Sequence, residues 1–195
     1  IKYDILYISS WNHLKPEFKI APNFTCEDYN KSQGSVIKYL ISYSQRKKFK
    51  LCICGKEVSK KNSKKEYLYY KNILGTKNWM FIPSNRNRTY NIIDQSRLNV
   101  TLNSTLGYES FARGNKTIFL NPLHKRKYCS SFKFGWPVKL PGKGYFWSDT
   151  LSQKFCDKMF NNVMYSSQTR WRNIKKKYEK KLMENDQYNS KFKKL

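Results

Sequence analysis

Five short apolar runs recur along this chain with helical segments between them, and that alternation restricts the possible folds more than any other feature. The runs are Asp4-Ile5-Leu6-Tyr7-Ile8-Ser9, Phe49-Lys50-Leu51-Cys52-Ile53-Cys54, Trp79-Met80-Phe81-Ile82, Leu98-Asn99-Val100-Thr101-Leu102 and Lys116-Thr117-Ile118-Phe119-Leu120. Runs of this length, bounded by Gly, Pro or polar clusters, read as strands. Between them, Val36, Ile37, Leu40, Ile41 and Tyr43 recur at helical spacing after the turn signal Ser32-Gln33-Gly34, which predicts a helix over residues 35–46. Residues 66–74 read as a helix stopped by Gly75, and residues 90–95 as one or two helical turns. Residues 103–114 read as a helix that opens on a capping residue and ends at Gly114. Parallel strands need crossover connections, so the pattern predicts an α/β fold with a Rossmann-like, mostly parallel sheet and helices on both faces.

From Asn121 onward the composition shifts to aromatics, Pro and Gly, as in Phe134-Gly135-Trp136-Pro137 and Gly144-Tyr145-Phe146-Trp147. A long aromatic loop over residues 121–149 with one or two local strands is expected, followed by helices at about 150–163 and 167–183. The resulting organisation is an α/β domain over residues 1–149, helices packing on or beside it over 150–183, and a flexible basic tail over 184–195.

The chain of 195 residues carries 39 Lys and Arg against 13 Asp and Glu, a formal net charge of +26, with 39% hydrophobic and 16% aromatic residues. That apolar content excludes a wholly disordered basic tail. No stretch approaches the roughly 20 apolar residues that span a bilayer, and Ile1-Lys2-Tyr3-Asp4 lacks the basic start and apolar run of a signal peptide. The chain starts without Met inside a strand, which suggests a processed product or a piece of a longer polypeptide. A +26 charge admits a nucleic-acid partner, the phosphates of a nucleotide or an anionic lipid surface. The shared abundance of Lys, Asn, Ile and Tyr also follows from an AT-rich coding sequence. The basic, aromatic tract at residues 170–181 reads first as a solvated helix, second as a membrane-surface contact and third as a nucleic-acid contact.

Cys26, Cys52, Cys54, Cys129 and Cys156 form no CxxC pair, and only His13 and His124 are available to join them, so no structural zinc site is expected. Cys52 and Cys54 alternate along a strand and are expected on one buried side of it. Asn-x-Ser/Thr triplets at Asn23, Asn87, Asn99, Asn103 and Asn115 accompany the abundance of Asn, several inside or beside strands.

In an open parallel sheet, ligands bind beyond the carboxyl ends of the strands. That rule collects Ser10, His13, Gly55, Lys56, Pro83, Arg86 and Arg88 along one rim with Ser104-Thr105-Leu106-Gly107. At this last turn, backbone N–H groups and the helix dipole favour an anion, Ser104 and Thr105 add hydroxyl donors, and Gly107 would admit a close approach. Glu109 stands where it could accept from ribose hydroxyls. The alternative, at even weight on these residues alone, makes Ser104 or Thr105 only an N-cap and Glu109 only a partner of the dipole.

The run from Ser104 to Leu120, with the Ser-Thr-x-Gly-x-Glu turn at its head, resembles the nucleotide-sugar-binding half of GT-B glycosyltransferases. Ser9-Ser10-Trp11, Phe134-Gly135-Trp136-Pro137 and Gly144-Tyr145-Phe146-Trp147 carry the likeness further. The chain is most similar, over about residues 4–172, to bacterial surface-carbohydrate proteins of O-antigen and capsule biosynthesis, Kdo transferases included. The resemblance implies a transferase that moves a sugar from a nucleotide-sugar to a growing surface polysaccharide or lipopolysaccharide. Ser104, Thr105, Leu106 and Gly107, with Arg86 and Arg88, would hold the donor phosphates and Glu109 the ribose. Ser10, Gly55, Lys56, Phe81 and Pro83 would lie near the donor or its base. It implies no cofactor and no metal, in keeping with the lack of an Asp-x-Asp motif, and ranks CMP-linked acidic sugars ahead of UDP- or GDP-sugars. Implied partners are the nucleotide-sugar and a glycan or lipid-linked acceptor. A missing N-terminal acceptor domain is implied as well, since GT-B enzymes have two such domains. The implied location is the cytoplasm, with peripheral contact to the inner face of the membrane. No catalytic base is evident, and His13 is the sole candidate that titrates near neutrality. A basic nucleic-acid-binding domain and a non-catalytic interaction domain are the alternatives.

Overall fold

Strand β1 (Tyr3–Ile8) is buried along almost its whole length, so it needs a neighbour on each edge and a layer on each face. The computed structural model, which describes residues 1–85, 88–126, 132–134 and 139–183, supplies both. A short antiparallel hairpin of β2 (Lys19–Ala21) and β3 (Phe24–Thr25) follows β1 and stands apart from the main sheet. The sheet consists of β1 with β4 (Leu51–Cys54), β5 (Trp79–Ile82), β6 (Ser96–Thr101), β7 (Thr117–Leu120) and β8 (Trp147–Ser148). Its order is β5-β4-β1-β6-β7-β8, and every neighbouring pair is parallel. Counted along the chain, these strands lie in the order 3-2-1-4-5-6, that of the doubly wound dinucleotide-binding sheets, with the reversal of direction between β1 and β6. The α/β, Rossmann-like expectation therefore holds.

Alternation along β1 sorts the core into two layers. Ile5 and Tyr7 join the larger cluster with α1 (Cys26–Lys47), α2 (Lys60–Leu74) and α5 (Gln153–Met164). Leu6 and Ile8 face the other way, with Cys52, Cys54 and Ile93 of α3 (Thr89–Asp94), and Tyr3 at the start of the strand packs into the same cluster. Cys52 and Cys54 thus share one buried side, as their spacing predicts, and burial pushes their thiols up to about 11 and about 12. Beside α3 lies α4 (Thr105–Ala112), joined to it by the Arg113–Asp94 ion pair. Helix α6 (Gln168–Tyr178) buries Trp171 edge-on against Phe111 and Phe146, and its indole N–H donates to the Gly114 carbonyl at 3.0 Å.

The structure corrects the start of the first helix. Residues 32–34 are not a turn but the interior of α1, which begins nine residues earlier than its amphipathic spacing suggests, at Cys26. A reciprocal capping box between Thr25 and Asp28 starts it. Gln33 is retained inside because its side chain is completely buried and hydrogen-bonded, and Gly34 because it sits against Ile73 and Tyr69 of α2. The hairpin before α1 was not foreseen either. Among the described residues beyond 120, one strand, β8, forms, and it completes the sheet. Arg86, Asn87, Cys129, Gly135, Trp136, Pro137 and the tail 184–195 lie outside the described residues. Among the described residues no helix is long and apolar enough to cross a membrane.

Gly107 owes its place to packing. A Cβ there would fall 2.3 Å from Cγ2 of Thr101 at the end of β6, so α4 reaches the sheet only with glycine at this position. Gly107→Ala is expected to lower the unfolding free energy in urea by about 1–3 kcal/mol. Thr101→Ser, which deletes that methyl and keeps the hydroxyl, should restore part of the loss.

Candidate functional site

A cavity of about 500 Å³ opens at the carboxyl ends of β1, β4 and β6, at the point where the strand order reverses. Its lining includes Ser9 and Ser10 after β1, Gly55 and Lys56 after β4, Ser84 after β5, and Asn103 to Leu106 with Glu109 after β6. Each group arrives on a loop that leaves a parallel strand, which is why residues distant in sequence converge here.

The α4 wall carries the anion-binding potential. Ser104 is the N-cap residue, yet its side chain caps nothing, whereas Thr25, Ser59 and Ser167 do cap α1, α2 and α6. Ser104 N–H donates to Thr101 Oγ1 at 3.2 Å, and Gly107 N–H to the Ser104 carbonyl at 2.9 Å. Thr105 and Leu106, the first two helical positions, have no intrahelical acceptor for their N–H groups, so these donors and the positive helix end face the cavity. Gly107 is turned toward Thr101 and does not line the cavity. On the opposite wall, Lys56 is the only cation among the described lining residues, and its Nζ also donates to the Trp11 carbonyl at 3.3 Å. Glu109 is the only carboxylate among them and accepts from the Tyr90 hydroxyl at 2.6 Å. The Tyr29 hydroxyl donates to Asn103 Oδ1 at 2.8 Å, and burial pushes its pKa up to about 12.

Beneath the rim lies a buried polar network that sequence reasoning missed. Glu66 of α2 has no exposed surface, and its carboxylate accepts from Ser9 Oγ and from the backbone N–H groups of Lys56 and Glu57, both at 3.0 Å. Gln33 Oε1 accepts from Tyr7 and Tyr70 hydroxyls and from Ser10 N–H at 3.0–3.2 Å. Together they fix the loops after β1 and β4. Gly55 makes room for this: a Cβ there would lie 3.1 Å from Glu66 Oε2 and 2.7 Å from Phe81 Cζ. One sequence signal pointed to Glu66. It is the only acid in Lys60–Leu74, and Tyr70 and Leu74, the other buried residues of that helix, follow it at i+4 and i+8.

Of the residues assigned from sequence, Ser10, Gly55, Lys56, Ser104, Thr105, Leu106 and Glu109 are brought together here. Phe81 and Pro83 are not. They line a separate trough between α2 and β5, because the side chains at the end of β5 turn toward Tyr67 and Tyr70. Arg88 is exposed at the start of α3 and outside the lining, and Arg86 lies outside the described residues. His13 does not line the cavity; its Nδ1 lies 3.0 Å from Glu57 Oε1. Among the described residues no three His, Cys, Asp or Glu side chains converge as a metal site would need.

Burial raises the Glu66 pKa above 4.5 and outweighs the hydrogen bonds that lower it. A carboxyl group with a raised native pKa binds its proton more tightly when folded. Its contribution to stability therefore falls as pH rises from about 4.5 through the native pKa, and is flat on either side. Urea unfolding of the parent protein and of Glu66→Gln across pH 4.5–7.5 should show the parent gaining relative stability as pH falls. At pH 7 the substitution, which sets an amide N–H₂ against backbone donors, should cost about 1–3 kcal/mol.

The family model described as "putative O-antigen biosynthesis protein" matches residues 1–195, and the chain belongs to that family. No curated protein matches it.

Proposed function

Starting from membership of an O-antigen biosynthesis family, we propose that this chain binds the nucleotide-sugar donor for a glycosyl transfer step in surface-polysaccharide assembly. One observation carries the reading: an uncapped helix N-terminus, a lysine and a carboxylate surround one cavity at the switch point of a 3-2-1-4-5-6 sheet.

In this reading the N–H groups of Thr105 and Leu106 hold the donor phosphates, with the hydroxyls of Ser104 and Thr105 beside them. Lys56 supplies a positive charge from the facing wall. As the bond from sugar to phosphate breaks, negative charge builds on the departing nucleotide, and a fixed helix dipole and ammonium group stabilise it without reorganising. Glu109 accepts from the ribose hydroxyls in exchange for its bond to Tyr90. Phosphate stabilisation by helix and lysine leaves no step that requires a metal. A CMP-linked acidic sugar ranks first as donor, ahead of UDP- and GDP-sugars, with a glycan or lipid-linked molecule as acceptor. No residue of the cavity is assigned as catalytic base.

The test is calorimetric titration with CMP, UDP, GDP and a mixed single-stranded oligonucleotide at ~150 and ~500 mM salt, where exposed charges are increasingly screened. Selective binding of one nucleotide at both salt concentrations supports the reading. Oligonucleotide binding alone, lost at high salt, overturns it. Thr105→Pro is the diagnostic variant, because proline is favoured at the first helical position and removes one N–H. Ser104 already has the extended backbone that precedes proline. The variant should fold with little change in Tm and lose about tenfold or more in nucleotide affinity. Thr105→Val, which keeps the N–H, should lose less.

A further inference from the structure

A second concave surface, a trough of about 610 Å³, runs between α2 and β5, the strand at the edge of the sheet. It shares no residue with the cavity at the switch point, so nothing argued for the nucleotide bears on it. Lys64, Tyr67 and Lys71 follow one another at three- and four-residue steps and therefore share one face of α2. Helix rise sets Lys64 and Lys71 about 10 Å apart, with the tyrosine between them. Tyr67 stacks on Trp79 of β5 with ring centroids 5.8 Å apart, and Phe81 meets Tyr67 edge-on at 5.7 Å. The Trp79 indole N–H donates to the Gly75 carbonyl at 3.2 Å, which fixes the ring. Tyr67 keeps 37% of its surface exposed. Among the described residues no acidic side chain lines the trough, and neither Lys64 nor Lys71 forms an ion pair.

We infer that this trough is a binding site for an acidic glycan, with the aromatic surface taking the C–H face of a pyranose ring and Lys64 and Lys71 taking carboxylate or phosphate substituents on either side. Aromatic rings pack against the apolar faces of sugars, and two unpaired cations flanking such a surface select a glycan that carries negative charge. The spacing of the lysines spans more than one sugar ring, which suits a polymer laid along α2 better than a monosaccharide. Family membership puts a polysaccharide within reach. Single-stranded nucleic acid, by contrast, is held on several separate ring faces, one per base. Here Tyr67 and Trp79 lie on each other and Phe81 is edge-on, which leaves one continuous surface.

The full chain would be titrated calorimetrically with an oligogalacturonate, with neutral maltohexaose and with single-stranded oligothymidylate at ~150 mM salt. The oligogalacturonate should bind at least about tenfold more tightly than either comparator. Joint substitution Lys64→Gln and Lys71→Gln should weaken it by about tenfold, and Tyr67→Leu, which keeps apolar volume, by about fivefold. Lys154→Gln with Lys158→Gln removes the same charge from exposed positions on α5 and should change affinity by no more than about twofold. Tm values of all variants verify folding.

Four results would overturn the proposal. The first is no binding of the oligogalacturonate, and the second is equal weakening by both double variants, which would reduce binding to net charge. Tighter binding of oligothymidylate that responds to Tyr67→Leu would make the trough a nucleic-acid surface. Self-association lost in the same variants would assign it to a second copy of the chain.

Discussion

A carboxylate enters a protein interior only when the groups around it replace its water, and Glu66 meets that condition by joining three separate parts of the chain. Ser9 belongs to the loop after β1, Lys56 and Glu57 to the loop after β4, and Glu66 itself to α2. The carboxylate therefore ties the two central strand ends to the helix that crosses over them. Gln33 repeats the arrangement from α1, with one oxygen receiving Tyr7, Tyr70 and Ser10. Two walls of the switch-point cavity rest on these contacts. Above them, the charged side chains of Lys56 and Glu109 each hold a partner through a single hydrogen bond.

The charge of +26 now has a structural context. Most lysines are exposed and dispersed, yet two concave surfaces use a few of them in defined settings. In the switch-point cavity Lys56 faces a helix N-terminus. In the trough beside β5 two lysines flank stacked aromatics, with no carboxylate among the described lining residues. Both arrangements favour anionic ligands, in a chain that belongs to an O-antigen biosynthesis family.

How much of this was legible in the sequence depended on the range of the interactions involved. Five of the six strands of the sheet, the glycine stops at Gly75 and Gly114, and the turn at Ser104 to Leu106 declare themselves through residue type and period within a few positions. The start of α1 did not, because Gln33 and Gly34 look like a turn unless one knows that Tyr7, Tyr70, Ile73 and Tyr69 surround them. Gly107 read as an opening for a ligand, and it is instead the contact point with Thr101. Phe81 and Pro83 were placed with the nucleotide because they end a strand, although β5 is an edge strand whose side chains pack toward α2 and line another surface.

Local periodicity by itself determined the α/β class, the parallel sheet and the helix N-terminus offered to an anion, since each rests on residues close together in the chain. Strand order was beyond it, because crossovers of similar composition can pack on either side of a strand. Only the tertiary structure placed β1 beside both β4 and β6. That pairing brings Ser10, Lys56 and Thr105 to one cavity, sends Phe81 to another, and gives Glu66 the donors without which a buried carboxylate could not be kept. The physical reason is that burial and hydrogen bonding are satisfied between segments tens of residues apart, and the choice among such partners is made only when the sheet closes.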